Sequence, residues 1–280
     1  MKRFVMAAAF AAGLMAAGAA NAATVLVTGS NRGLGLEFTK QYAEKGYSVI
    51  ATTRNPDDAK ELQALAAKHK SITIEKLDVL DQAAVRALAA KYKGKPVDIL
   101  INNAGVLGAG TFGTLDLDAF RRVMDTNVFG SLVVSEAFKD SIAASKEKKM
   151  IFISSPAGTF NIQSLFKNGK MAGAPAEGTG ASPKERKVEV SDGGGFYYSL
   201  SKVAVNMAVQ KIRPALKKDG ITVGIIAPNA VDTDMLAELG FGGAAMKAPE
   251  AIGRFIKIID AMNVENQGRP IVQDGTVLDW

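Results

Sequence analysis

The chain has 280 residues, of which 48% are hydrophobic and 22% charged, and it contains no cysteine. This length suits one domain with a sizeable core, and the composition excludes a disordered, collagenous or coiled-coil protein. The formal net charge is +6, but the basic residues are spread along the chain, so we expect no nucleic-acid binding. One histidine and no cysteine exclude His-based triads and thiolate chemistry, and we predict no metal site.

The first 22 residues have the pattern of a secretory signal peptide. Lys2 and Arg3 precede an apolar, alanine-rich run from Phe4 to Ala20, and Ala20-Asn21-Ala22 offers small residues for cleavage. The run is no longer than a minimal membrane span, so we favour cleavage over a stable membrane anchor. We therefore expect a periplasmic or secreted protein whose mature domain spans residues 23–280, with a cytoplasmic location as the alternative.

From Thr24 onward, short apolar runs of strand length alternate with segments of helical periodicity. The predicted strands are Thr24–Thr28, Ser48–Thr52, Ile72–Lys76, Asp98–Asn102, Lys149–Ser154 and Thr222–Ala227. The predicted helices are Leu34–Lys45, Asn55–Lys68, Asp81–Tyr92, Leu117–Ser145 and Tyr198–Lys218. This alternation predicts a single α/β domain with a doubly wound parallel sheet, a Rossmann fold of three layers, and a ligand at the carboxyl ends of the strands.

The segment Thr159–Gly195 interrupts this alternation. It is rich in Gly, Ala, Pro, Lys and Ser, has little periodicity, and follows the fifth predicted strand. We expect it to overhang the carboxyl edge of the sheet. Two interpretations stay open, a flexible surface insertion and a lid that selects substrates.

A glycine-rich turn follows the first strand and opens the first helix. Its sequence, TGSNRGLG, begins at Thr28 and has glycines at the spacing G-x-x-x-G-x-G. Glycines permit a tight turn and let backbone N–H groups approach a pyrophosphate at the helix N-terminus. We expect a dinucleotide to contact the residues of this turn, which are Gly29, Ser30, Asn31, Arg32, Gly33, Leu34 and Gly35.

The end of the second strand predicts which dinucleotide binds. An NAD site places an acidic residue about 20 residues beyond the glycines, where it holds the ribose hydroxyls. Here the strand ends in Ala51-Thr52-Thr53, with Arg54 directly after it and Arg32 in the glycine turn. Two guanidinium groups favour a ribose 2′-phosphate, so we predict NADP(H).

Tyr198 and Lys202 lie four residues apart at the start of a predicted helix, so their side chains share a face. Tyr198 is the only one of the five tyrosines with a lysine at this spacing. We expect the ammonium group to stabilise the phenolate and to lower the tyrosine pKa from about 10 toward neutrality. We expect Ser155, three residues before Gly158, to donate to a carbonyl oxygen that gains charge.

Together with Asp78-Val79, Asn102–Gly105 and Asn127, these motifs resemble the short-chain dehydrogenase/reductase superfamily over nearly the whole chain after the signal. The segments ATTRNP, starting at Ala51, and GTVLDW, starting at Gly275, are similar to its branch of C-factor and Sniffer-like carbonyl reductases. The resemblance implies hydride transfer between NADP(H) and a carbonyl or alcohol substrate. It also implies a homodimer or homotetramer, built on the two long predicted helices.

The resemblance implies a role for each matching residue. It implies that Ser155, Tyr198 and Lys202 are catalytic and that Asn127 holds a water molecule in a proton relay. It implies further contacts with the adenosine and nicotinamide parts of the cofactor by Asp78, Val79, Asn103, Ala104, Gly105, Val231 and Thr233.

Two features depart from the family pattern. Pro228-Asn229 stands where the family usually has Pro-Gly, and we expect Asn229 to keep the turn because Asn tolerates left-handed backbone. Ser155 and Tyr198 are 43 residues apart, a spacing longer than usual in the family.

A non-catalytic dinucleotide-binding or intercellular signalling protein is the alternative function. The intact Ser155, Tyr198 and Lys202 favour catalysis, because a sensor needs only the glycine turn and the arginines. We expect the substrate pocket to include Val106–Thr111, the insertion and Asp234–Lys247, whose small and apolar residues favour a hydrophobic carbonyl compound.

Overall fold

The computed structural model describes residues 22–108, 110–160, 166–167, 170–171, 195–238, 245–265 and 268–279. Residues 1–21 of the predicted signal peptide, most of the Thr159–Gly195 insertion and the middle of Asp234–Lys247 lie outside the described residues. No helix in the described ranges is both long and apolar enough to cross a membrane.

Strands and helices alternate along the chain as expected. The first half contains β1 (Thr24–Val27), α1 (Gly33–Glu44), β2 (Ser48–Thr53), α2 (Lys60–Lys68), β3 (Ile72–Lys76), α3 (Gln82–Lys91), β4 (Ile99–Asn102), α4 (Leu117–Met124), α5 (Ser131–Ala143) and β5 (Lys149–Ile153). The second half contains β6 (Phe166–Lys167), β7 (Lys170–Met171), α6 (Phe196–Lys217), β8 (Thr222–Ile226), β9 (Val231–Asp232), α7 (Asp234–Glu238), β10 (Met246–Lys247), α8 (Ala248–Ala261) and β11 (Pro270–Ile271).

A seven-stranded sheet in the order β3-β2-β1-β4-β5-β8-β11 forms the centre of the molecule, and all its strand pairs are parallel. Its central strands are continuous apolar runs because helices cover both faces. On one face Phe38 of α1 and Phe255 of α8 are fully buried against the sheet. On the other face Phe138 of α5 and Val209 of α6 occupy the equivalent position. The predicted doubly wound α/β fold is confirmed.

The structure corrects two of the predicted helices and adds a helix that was not predicted. The predicted helix Leu117–Ser145 is α4 and α5 joined by a π-helical segment, Asp125–Gly130. The predicted helix Asn55–Lys68 begins as a separate 3₁₀ turn, Pro56–Asp58, and α2 starts only after Ala59, whose backbone is not helical.

The added helix is α8, which forms toward the end of the chain, where no helix was predicted. Its buried residues Ala251, Ile252, Phe255, Ile256 and Ile259 have helical spacing, so the apolar pattern contained the signal.

Candidate active site

A cleft of about 680 Å³ opens at the carboxyl edge of the sheet. Its walls are the loops that follow β1, β2, β3, β4, β5 and β8, together with the first turns of α6. The predicted site residues that line it are Gly29, Asn31, Arg32, Gly33, Leu34, Arg54, Asp78, Val79, Asn103, Ala104, Gly105, Ser155, Tyr198, Lys202, Val231 and Thr233. Residues distant in the chain therefore meet where parallel strands end, as the fold class requires.

Ser30 and Gly35 do not line the cleft but shape the glycine turn from behind. Ser30 is fully buried, and its hydroxyl donates to the carbonyl of Val27 at 2.9 Å. A Cβ at Gly35 would lie 2.2 Å from the carbonyl oxygen of Gly29, so no larger residue fits there. These two predicted cofactor residues hold the turn in its tight form.

Asn103 ties the glycine turn to the end of β4. Its side-chain amide donates to the carbonyls of Thr28 at 2.9 Å and Gly29 at 3.0 Å. In return, the N–H groups of Asn103 and Ala104 both donate to the hydroxyl of Thr28 at 3.0 Å. These hydrogen bonds hold the two loops together.

The N-terminus of α1 faces the cleft and suits an anion. The helix begins at Gly33, the N-cap residue Arg32 makes no side-chain capping bond, and the first turn holds no acidic residue. Gly33 has φ +56°, and a Cβ there would project toward Thr233 at 3.8 Å, into the space between turn and cleft wall. Since first-turn N–H groups lack helical partners, this cradle fits a dinucleotide pyrophosphate.

Basic side chains stand where the adenosine ribose is expected. Thr52 and Thr53, at the end of β2, are buried and neutral, and Arg54 after them is exposed with no ion-pair partner within the described residues. Arg32 lines the same cleft but pairs with Asp234 at 3.0 Å. Sequence reasoning missed a third guanidinium, that of Arg122, which also lines the cleft.

Tyr198 and Lys202 lie one turn apart near the start of α6. The Lys202 ammonium lies 5.2 Å from the centroid of the Tyr198 ring and donates to the carbonyl of Ile153 at 2.8 Å. The lysine is only 6% exposed. Ser155, at the end of β5, is hydrogen-bonded to the Tyr198 side chain. The three predicted catalytic side chains are therefore in one place.

The predicted direction of the Tyr198 pKa is wrong for this structure. Burial raises the pKa of Tyr198 to about 12, and the hydrogen bond with Ser155 lowers it only in part. Burial also lowers the pKa of Lys202 to about 8. Desolvation exceeds the effect of the neighbouring charge because the ammonium bonds the Ile153 carbonyl and faces the ring of the tyrosine.

Gly158 explains the spacing of the Ser155 motif. Residues Pro156–Gly158 form a 3₁₀ turn, and Ser155 caps it by accepting from the Ala157 N–H at 3.2 Å. A Cβ at Gly158 would lie 2.7 Å from the carbonyl carbon of Lys202, so only glycine lets this turn rest on α6. The contact sets the position of Ser155 relative to helix α6.

Ser154 and Ser155 both line the cleft, but they differ in their surroundings. Ser154 is buried, its N–H donates to Ile226 at 2.8 Å, and its hydroxyl has no partner. The hydrogen bond to Tyr198 belongs to Ser155, the residue that the motif favours.

Asn127 is buried in the π-helical segment and does not line the cleft. Its side chain bonds Val106 twice, accepting from the N–H at 2.8 Å and donating to the carbonyl at 3.0 Å. It also donates to the hydroxyl of Ser201 at 2.9 Å. Asn127 thus fastens the loop after β4 to helix α6, and this network through Ser201 had no sequence signal.

The turn at Pro228-Asn229 is built differently from the prediction. The one non-glycine residue with positive φ in the described ranges is Lys148, so Asn229 is not left-handed. Its side-chain oxygen accepts from the Ala230 N–H at 3.0 Å, and its own N–H donates to Gln273 at 3.0 Å. Side-chain hydrogen bonds therefore hold the turn where glycine is usual.

The remaining wall of the cleft is largely apolar. The segments predicted for the substrate pocket contribute Val106, Leu107, Met235 and Leu236, and Ala157 adds a small side chain. No group of His, Cys, Asp and Glu side chains in the described part of the chain is arranged to hold a metal ion.

Comparison with known proteins places this site in a family. The family model described as short chain dehydrogenase matches residues 23–172 and 189–241. A 1-hydroxy-2-glutathionyl-2-methyl-3-butene dehydrogenase from Rhodococcus sp. is 29% identical, covering 92% of this chain and 99% of its own. The C-signal protein of Myxococcus xanthus is 29% identical, covering 70% of this chain and 100% of its own.

Solved structures give the same fold. The NADPH-bound carbonyl reductase from chicken fatty liver has a TM-score of 0.75 and 28% identity, covering 93% of this chain and 100% of its own. The carbonyl reductase Sniffer of D. melanogaster has a TM-score of 0.74 and 24% identity, covering 92% of this chain and 100% of its own. The predicted resemblance to the superfamily is confirmed.

Proposed function

The chain belongs to the short-chain dehydrogenase family, and on that premise we propose that it reduces a small-molecule carbonyl compound with NADP(H), Tyr198 acting as general acid. One observation carries the proposal. Ser155, Tyr198 and Lys202 come from two elements and meet in one cleft at the carboxyl edge of the sheet. This arrangement has little structural purpose otherwise, since a buried ammonium without a carboxylate partner is costly.

The protein residues that would hold the dinucleotide surround the adenosine side of the cleft. The first-turn N–H groups of α1 would bind the pyrophosphate, while Arg54 and Arg32 would bind the ribose 2′-phosphate. The absence of an acidic residue at the end of β2 favours NADP(H) over NAD(H). The NADPH in the chicken carbonyl reductase agrees with this choice. When bound, the dinucleotide supplies or accepts the hydride.

The proton chemistry favours reduction at neutral pH. A phenol whose pKa is about 12 is protonated at pH 7, which is the form that donates a proton to a developing alkoxide. The Ser155 hydroxyl donates to the same oxygen as it gains charge. Lys202, with a pKa of about 8, is mostly charged at pH 7 and stabilises the phenolate that remains after transfer.

We propose a hydrophobic carbonyl compound, or the corresponding alcohol, as the substrate. The apolar lining by Leu107, Ala157, Met235 and Leu236 supports this class. The name of the Rhodococcus relative describes an alcohol that carries a glutathionyl group, so glutathione conjugates belong in any substrate panel.

An intercellular signalling or other non-catalytic dinucleotide-binding role is the second candidate, and the similarity to C-signal supports it. A spectrophotometric assay of NADPH oxidation against a panel of ketones, aldehydes and quinones separates the two functions. Turnover that Tyr198→Phe abolishes supports the reductase. NADPH binding without turnover on any compound supports the signalling role.

We also propose that the mature domain, residues 23–280, is exported after cleavage behind Ala22 and forms a homodimer or homotetramer. Exposed apolar side chains in the π-helical segment, Phe129, and in α6, Leu200 and Met207, support self-association. Cell fractionation with N-terminal sequencing tests the export: an intact Met1 in the cytoplasm would contradict it. Light scattering on the purified protein tests the assembly.

A further inference from the structure

Arg32 and Asp234 form an ion pair across the cofactor cleft. The guanidinium Nη1 of Arg32 lies 3.0 Å from Oδ2 of Asp234, and the side chains are 58% and 67% exposed. Arg32 belongs to the glycine turn, whereas Asp234 is the first residue of α7, 202 positions further along the chain. Both residues line the cleft, so the pair connects its two walls.

This ion pair makes a difference between the two arginines that the proposed function assigns to the 2′-phosphate. Arg54 has no ion-pair partner in the described part of the chain, whereas Arg32 already donates to a carboxylate. A phosphate that approaches Arg32 competes with that carboxylate for the same N–H donors. It also meets a like charge at Asp234, which opposes its binding even if the guanidinium contacts both groups.

We propose that Asp234 is a specificity-determining residue that competes with the 2′-phosphate of NADP(H) for Arg32 and thereby limits the preference for NADP(H) over NAD(H). The inference rests on the proposed use of NADP(H) in this cleft. NAD(H) carries no phosphate at the ribose, so its binding does not require Arg32 to leave Asp234. The carboxylate of Asp234 therefore weakens the binding of NADP(H) and leaves the binding of NAD(H) unaffected.

The expected effect is modest because the pair is exposed. Exposed ion pairs contribute little free energy, so removal of Asp234 strengthens NADPH binding by about two- to fivefold. NADH binding stays within the error of the measurement. The effect shrinks at high salt, since ions screen exposed charges.

The experiment measures NADPH and NADH dissociation constants by calorimetry for the wild-type protein, Asp234→Asn, Arg32→Ala and the double variant. Asp279→Asn is the matched control, because Asp279 pairs with Arg269 at 2.8 Å and is 73% exposed but does not line the cleft. Tighter NADPH binding in Asp234→Asn alone, absent in the Arg32→Ala background and in Asp279→Asn, supports the proposal.

Three results overturn it. Weaker binding of both dinucleotides to Asp234→Asn would mean that the pair closes the cleft over the cofactor. If NADPH also binds more tightly to Asp234→Asn without Arg32, or if Asp279→Asn has the same effect, the change in the net charge of the protein alone would explain the tighter binding. Unchanged NADPH binding to Asp234→Asn would show that Asp234 does not affect the preference for NADP(H). The proposed function fails separately, if Arg32→Ala and Arg54→Ala leave NADPH affinity unchanged.

Discussion

Lys202→Met should stabilise the protein while abolishing its activity. Burial lowers the pKa of Lys202 from 10.5 to about 8, so the charged lysine lowers the stability of the folded state at neutral pH. Each tenfold change in the acid dissociation constant corresponds to about 1.4 kcal/mol, so this cost is about 3 kcal/mol at pH 7. Methionine removes it but leaves the Ile153 carbonyl without its donor, which costs about 1–3 kcal/mol. A net stabilisation of about 1 kcal/mol follows at pH 7.

The dependence on pH tests this reasoning more sharply than the net value. Between pH 8 and 10.5 the unfolded lysine holds its proton and the folded one has lost it, so the wild-type protein gains stability from this group as pH rises. The advantage of Lys202→Met should therefore fall by about 2 kcal/mol between pH 7 and pH 9.5.

Urea unfolding followed by circular dichroism, without dinucleotide, measures both values. Lys149→Met is the control, because Lys149 is also buried but lies 3.3 Å from Glu147. Its loss removes an ion-pair partner and should destabilise the protein at pH 7. If Lys202→Met is as destabilising as Lys149→Met at pH 7, and its effect does not change by pH 9.5, the assignment of a strained charge is wrong.

Three further predictions concern the cofactor, the serine turn and the pH profile. Arg54→Ala should weaken NADPH binding by about tenfold through loss of charge-assisted hydrogen bonds, with NADH binding unchanged in the same calorimetric titration. Gly158→Ala should lower the free energy of unfolding in urea by about 1–3 kcal/mol and lower kcat, because its Cβ would lie 2.7 Å from the Lys202 backbone. Gly253→Ala is the control, because the nearest atom to its Cβ is 3.5 Å away and alanine should stabilise α8. The kcat/KM for reduction should fall above about pH 8 as Lys202 loses its proton, and a profile that stays level to pH 10 would contradict that role.

Much of the fold was accessible from the sequence because its signals are local. Continuous apolar runs predicted the buried parallel strands, and their alternation with helical segments predicted the doubly wound sheet that the structure confirms. The glycine turn and the spacing of Tyr198 and Lys202 are likewise short-range patterns. Tyr198, Lys202 and all residues of the turn from Gly29 to Gly35 except Ser30 and Gly35 line the cleft.

What escaped prediction depends on contacts between distant segments. The pairing of Arg32 with Asp234 joins residues 202 positions apart, and the network of Asn127 reaches both Val106 and Ser201. The direction of the Tyr198 pKa follows from the burial of its own hydroxyl group, which spacing along the chain does not contain. Helix α8 is a different case, since its apolar spacing was visible in the chain.

Turnover by Tyr198→Phe tests the central claim most directly. Tyr197→Phe is the matched control, because Tyr197 is the neighbouring residue on α6 but does not line the cleft. Its hydroxyl instead accepts a hydrogen bond from the Asp116 N–H at 2.5 Å. With a carbonyl compound that the wild-type protein reduces, we expect Tyr198→Phe to lower kcat for NADPH oxidation by at least about 100-fold, with NADPH affinity retained. Tyr197→Phe should keep most of the activity. Equal turnover by Tyr198→Phe and the wild-type protein would contradict the account.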